Sequence, residues 1–129
     1  MLGKTPAFAS FSVDDVDTAR KFYEKTLGLE VGETMGALEL HHANGLNTLV
    51  YPKDDHKPAT FTVLNFPVDD IKRAHDELTR RGVRFGYQND PHLETDEKGI
   101  YWGVQKGKGP NIAWFTDPAG NILSIVQDK

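Results

Sequence analysis

One pattern occurs twice in this chain of 129 residues, and the repeat restricts its possible folds more than any other feature. Residues 8–32 read FASFSVDDVDTARKFYEKTLGLEVG, and residues 63–86 read VLNFPVDDIKRAHDELTRRGVRFG. Shifting by 55 positions lays Phe11 on Phe66, Val13-Asp14-Asp15-Val16 on Val68-Asp69-Asp70-Ile71, and Ala19 on Ala74. One residue is then dropped, so that Gly28 meets Gly82 and Val31 meets Phe85. Two copies of one supersecondary unit follow.

Each copy opens with alternation. Ala9, Phe11 and Val13 form one face of the first strand, and Phe8, Ser10 and Ser12 form the other. Residues 61–68 repeat this, with Thr62, Leu64, Phe66 and Val68 opposite Phe61, Val63, Asn65 and Pro67. Period two is the mark of a strand covered on its more apolar side. A helix then begins, with an Asp available as N-cap in either copy. Its apolar stripe is Val16, Ala19, Phe22, Tyr23 and Leu27 in the first copy, and Ile71, Ala74 and Leu78 in the second. Gly28 and Gly82 supply the left-handed residue that closes a helix.

Three further strands follow the first helix, at about Leu29–Glu33, Ala37–His41 and Asn47–Tyr51. The second copy has Ile100–Gln105, Asn111–Phe115 and Ile122–Gln127, and a short piece at Val83–Gly86 whose counting stays open. Asp117-Pro118-Ala119-Gly120 suits a type I turn between the last two strands. Tyr87–Gly99 and Lys106–Pro110 read as loops, either binding segments or surface connections.

Composition narrows the function. Fifteen Lys and Arg against nineteen Asp and Glu give a net charge of −4, which offers no electrostatic footprint for nucleic acid and no polybasic membrane patch. No apolar stretch approaches the roughly 20 residues that span a bilayer. The N-terminus lacks a signal peptide's uninterrupted apolar core, so a cytoplasmic protein is the expectation. With no cysteine there is no disulfide, thiolate metal site or cysteine nucleophile. Neither a Gly-x-Ser-x-Gly elbow nor a Walker loop is present.

The tandem strand–helix–three-strand units, with Val-Asp-Asp before each helix, carry Phe22-Tyr23 followed by Leu27-Gly28-Leu29, and Phe115-Thr116-Asp117-Pro118-Ala119-Gly120-Asn121 near the end. In this order they resemble the glyoxalase/bleomycin-resistance/dioxygenase family, the vicinal oxygen chelate (VOC) superfamily, over nearly the whole chain. The resemblance implies an α+β fold: tandem βαβββ modules whose curved mixed sheet surrounds a cavity. The expected organisation is a single domain, 1–129, with module one at about 5–55 and module two at about 59–129.

In the family's metalloenzymes, four positions on the cavity face hold His, Gln or Glu and bind a divalent cation. Transferred here they fall on Phe8, Val63, Ser124 and, within one residue, Val50. Phenyl and isopropyl groups offer no lone pair, and one hydroxyl does not hold a hard ion. No metal and no cofactor are therefore expected. Glu39 and His41, two apart on one strand face, are the one local pair of potential ligands, and they lack a third. His56 reads as a loop residue and His75 as a surface or helix-edge residue.

The cavity face would instead be apolar with small polar groups, as suits an organic ligand. The expected ligand-binding residues are Phe8, Ser10, Val50, Phe61, Val63, Asn65, Trp102, Trp114 and Ser124. Of the adjacent pairs Tyr101-Trp102 and Trp114-Phe115, one member of each should face inward. The leading reading is a metal-free small-molecule-binding protein that sequesters an aromatic or antibiotic-like ligand. The alternative is a lyase-, isomerase- or dioxygenase-type enzyme of the same superfamily, with either a metal held by unexpected ligands or a metal-free catalytic group such as Glu39, His41 or His92; a third is an interaction module with a vestigial pocket. Expected partners are a small organic ligand and a second copy in a homodimer, with no nucleic acid and no membrane.

Overall fold

Side-chain alternation in the first copy produces β1 (Ala9–Val13), with Phe11 and Val13 buried and Ser10 exposed. The chain then turns into α1 (Val16–Lys21), where the Asp15 carboxylate accepts from the Thr18 N–H at 3.1 Å and satisfies one orphan donor of the first turn. Three antiparallel-linked strands complete the unit: β2 (Glu30–Thr34), β3 (Ala37–His41) and β4 (Asn47–Pro52). The sheet order is β1-β4-β3-β2, and β1 pairs parallel to β4. This is a computed structural model, and it describes residues 1–86 and 93–129.

The second copy repeats the plan with β5 (Thr62–Pro67), α2 (Ile71–Arg80), β6 (Ile100–Trp102), a four-residue helical turn α3 (Gly103–Lys106), β7 (Asn111–Thr116) and β8 (Ile122–Gln127). Its sheet order, β5-β8-β7-β6 with β5 parallel to β8, matches the first strand for strand. Asp70 caps α2 by accepting from the Arg73 N–H at 3.2 Å. The chain divides into two compact units, Met1–Lys57 and Pro58–Lys129. The fold is α+β, two four-stranded mixed sheets with their helices, as the repeat implies.

The dropped residue has a structural address. Between cap and closing glycine, the first copy has one residue more than the second, and it is absorbed by a π-turn at Phe22–Thr26 that continues α1. There the Leu27 N–H bonds the Phe22 carbonyl at 3.0 Å, five residues back. The wider turn keeps Tyr23 fully buried, edge-to-face on Phe22 and tilted against Phe11 at 6.2 Å between centroids.

Two expectations change. The strand expected at Ile100–Gln105 ends at Trp102, because the backbone enters α3 at Gly103. A Cβ on Gly103 would stand 2.3 Å from the Pro110 carbonyl oxygen, and the Val104 N–H donates to the Asn111 side chain at 3.0 Å. Val83–Gly86 forms no strand, although the Gly86 N–H donates to the Trp114 carbonyl at 3.2 Å. The Asp117 turn forms as expected. Asp117 Oδ1 accepts from the Ala119 and Asn121 amides at 3.0 and 2.8 Å, and Oδ2 accepts from Asn121 Nδ2.

Candidate functional site

Register decides which side chains share a face. In the first unit Phe11, Val50 and Leu38 stand across from one another on β1, β4 and β3, all buried on the side where Tyr23 packs. The opposite, open face carries Ser10 beside Leu49, Leu49 beside Glu39, and Asn47 beside His41. Val50 therefore belongs to the helix-covered face, and Leu49 occupies the expected β4 position. The one-residue slip is decisive because neighbours along a strand point oppositely.

The open face of the first unit holds a cavity of about 600 Å³. Phe8, Met35, Leu46 and Leu49 give it an apolar lining, and Glu39 and Asn47 are its principal polar members. Phe8 and Leu46 are exposed by 66% and 53%, so these groups are held out to water rather than packed away. Met35 is fully exposed at the tip of the β2–β3 hairpin with φ 50°, followed by Gly36 at φ 83°. Two successive positive φ values make a type I′ turn, a conformation that favours Asn, Asp or Gly over Met.

A hydrogen-bonded chain crosses this face. Asn47 Nδ2 donates to Glu39 Oε2 at 3.1 Å, and Asn47 Oδ1 lies 2.9 Å from His41 Nδ1. An amide oxygen only accepts, so His41 carries its proton on Nδ1. Its Nε2 lies 3.0 Å from where a Cβ on Gly32 would be, so that glycine makes room for the ring. Farther along β1, Ser12 Oγ meets His56 Nδ1 at 2.7 Å; His56 lies in a loop, as expected, but is half-buried.

In the second unit the open face is aromatic and packed. Tyr101, Trp114 and Ile122 cluster there, with Leu93 and Ile112 against them. Trp114 and Ser124 are cross-strand partners, and Ser124 Oγ donates to Asn65 Oδ1 at 2.6 Å. The indole N–H of Trp114 donates to Thr62 Oγ1 at 3.1 Å. Trp114, Ser124 and Asn65, three of the expected ligand-binding residues, thus lie together on this face. Phe61 lies just before β5 and is 66% exposed. Val63 sits at a register shift between Thr62 and Leu64, which puts Thr62 rather than Phe61 or Val63 beside Trp114. Alternation cannot anticipate such a bulge.

Trp102 is not part of this cluster. Tyr101 is the member of its pair on the open face, and Trp102 lies under the Lys72 ammonium of α2 at 5.6 Å. There it lines a depression of about 630 Å³ whose other walls, including Asp69, Lys72, Gln105 and Gln127, are mostly charged or polar. Its indole N–H donates to Asp96 Oδ2 at 2.9 Å. Partial burial pushes the Asp96 carboxyl up, but the Trp102 indole, the Ile100 and Lys98 amides and His75 together bring it below its ordinary value. His75 is buried rather than at the surface, with Nε2 2.8 Å from the Lys98 carbonyl and its ring stacked on Phe85 at 4.3 Å.

Among the described residues no three His, Asp or Glu side chains are placed to share an ion. His92, the third candidate catalytic group, lies outside the described residues. No helix among them is long and apolar enough to cross a membrane.

The sequence profile of the Glyoxalase/Bleomycin resistance protein/Dioxygenase superfamily matches residues 6–125. Among solved structures, the chain is similar to a glyoxalase family protein from Enterococcus faecalis, with a TM-score of 0.67, 20% identity, and 98% of this chain and 99% of that one covered. It is also similar to TnmS3, an antibiotic-binding protein from Streptomyces sp. CB03234, with a TM-score of 0.63, 21% identity and coverage of 95% and 93%. A third is virulence protein STM3117 from Salmonella typhimurium, with a TM-score of 0.65, 18% identity and coverage of 95% and 94%. No curated protein matches the chain.

Proposed function

The chain belongs to the glyoxalase/bleomycin resistance protein/dioxygenase superfamily, and from that premise we propose that it binds a small organic molecule without a metal ion. The observation that carries this reading is the cavity on the open face of the first unit. It has the volume of a small-molecule site, and its lining of Phe8, Leu46, Leu49 and Met35 is apolar with a few polar groups, as such sites require. The antibiotic-binding relative shows that this fold can serve as a binder, and it supports a sequestering role for an aromatic or antibiotic-like compound. A cytoplasmic homodimer is part of the same proposal.

The metal-free part rests on donor chemistry. At the positions where, by the resemblance, the family's metalloenzymes hold a cation stand Phe8, Leu49 (in the place expected of Val50), Thr62 (in the place expected of Val63) and Ser124. Phe8 and Leu49 are hydrocarbon, and the two hydroxyls are neutral and engaged, Thr62 accepting from the Trp114 indole and the fully buried Ser124 donating to Asn65. His41 is engaged with Asn47 and wedged against Gly32. These groups do not fit a divalent ion, which needs several oxygen or nitrogen donors directed at one point.

Two measurements test the reading. Elemental analysis of the purified protein should find no stoichiometric transition metal, and Ni, Zn, Mn or Fe ions should leave the melting temperature where it was. Planar aromatic compounds should raise it, since a ligand that binds only the folded state stabilises by mass action. Leu49→Asp should cancel that rise. A bound ion in stoichiometric amount overturns the metal-free reading, and a compound screen without a single hit overturns the binding reading.

A further inference from the structure

We infer that the ligand of the first unit's open face is an organic cation, a protonated amine on an apolar or aromatic body, and that Glu39 receives its charge. This rests on the small-molecule reading above and adds the chemical class. Glu39 is the one ionisable side chain among the described residues lining the cavity, and the rest of the wall is hydrocarbon or neutral. It is half-buried at the centre of β3, between Gly32 on one side and Leu49 on the other. None of the ion pairs formed by described residues includes it.

The carboxylate is held but not satisfied. Oε2 takes one hydrogen bond from Asn47, while a carboxylate has about four acceptor sites. Asn47 cannot turn round, because its oxygen is fixed by the Nδ1–H of His41 and its NH₂ must then face Glu39. The imidazole in turn is seated over Gly32. Each link fixes the next, so Glu39 is pre-oriented by the neutral Asn47 amide and has no cation among its hydrogen-bond partners. A neutral ligand without a donor would strip the carboxylate's water and return nothing, and a hydroxyl would return one hydrogen bond, whereas an ammonium group would add opposite charge to its hydrogen bond. An anionic ligand would meet like charge with no Lys or Arg among the described lining residues to offset it. The apolar body would lie on Phe8, Leu46, Leu49 and Met35. Met35 bears on this point, because its strained positive φ keeps an apolar side chain at the rim where an Asn or Gly would be more comfortable.

The test is calorimetric titration of the whole protein with three matched probes, naphthylmethylamine, naphthylmethanol and naphthoate, at neutral pH. Amide shift mapping in parallel establishes whether they contact Leu46 and Leu49. The amine should bind roughly 10- to 100-fold more tightly than the alcohol, as an added hydrogen bond to a charged group would give. The preference should weaken at high ionic strength in the unmodified protein. It should vanish in Glu39→Gln, where amine and alcohol should bind alike. Equal binding of all three probes, or a preference that survives Glu39→Gln, overturns the assignment of charge and leaves the binding reading standing. If the amine and alcohol both fail to bind and to shift Leu46 and Leu49, the binding reading falls, and this inference with it.

Discussion

The open faces of the two units differ although their scaffolds agree strand for strand. In the first, Phe8, Met35 and Leu46 are held out to solvent around a hydrogen-bonded Glu39–Asn47–His41 chain. In the second, Tyr101, Trp114 and Ile122 bury themselves against Leu93 and Ile112, with Trp114 anchored to Thr62. The faces that the helices cover are alike, apolar and closed, in both. The repeat therefore constrains the face that must fold, and leaves the other free to pack in one copy and to line a cavity in the other.

The largest effect that should separate the two faces is Trp114→Ala. It removes a buried indole and its hydrogen bond, and chemical denaturation should register a loss of about 3–5 kcal/mol. A loss below about 1 kcal/mol would mean that the second face is as open as the first. The helix caps should behave alike in both copies: Asp15→Ala and Asp70→Ala should lower the melting temperature by similar amounts. Unequal costs would show that the π-turn after α1 changes how much its cap matters.

Trp102→Phe removes the indole donor to Asp96 and should cost about 1 kcal/mol at pH 7. The sign of its pH dependence follows from the lowered carboxyl. A group whose folded-state pKa lies below its unfolded value stabilises above that unfolded value and ceases to as pH falls through the folded one. The difference between Trp102→Phe and the parent should accordingly shrink as pH drops below about 4 in parallel denaturation curves. A constant difference would assign the loss to packing instead.

On the first face the expected effects are small in stability and large in binding. Met35→Asn should raise stability by about 0.5–1 kcal/mol by relieving the positive φ, while weakening binding of planar compounds. If binding is untouched, Met35 is an ordinary turn residue. Leu46→Ser should change stability by less than about 0.5 kcal/mol, since the side chain is already in water, yet reduce ligand affinity measured by titration. These two variants set the binding face against the packed one.

Much of this was legible beforehand where a local rule applies. Both Asp caps, the closing Gly28 and Gly82, β3 at Ala37–His41 and the Asp117 turn follow from nearest-neighbour geometry. Ser10, Asn65, Trp114 and Ser124 could be placed on open faces because alternation holds wherever a strand is regular. Val50 and Phe61 were misplaced because one residue of slip inverts a strand's faces, by a loop in one case and by the bulge at Thr62–Leu64 in the other. Leu49 and Thr62 could have been found only from the partner strand's register.

Sequence alone determined the duplicated α+β plan, for the helix caps, the turns and the apolar periodicity are short-range and each copy states them independently. Only the tertiary structure decided where a ligand has room. The Glu39–Asn47–His41 chain links two strands, and its directionality depends on which atoms register brings within hydrogen-bonding distance. Composition records that a carboxylate, an amide and an imidazole exist; pairing between strands determines that they meet.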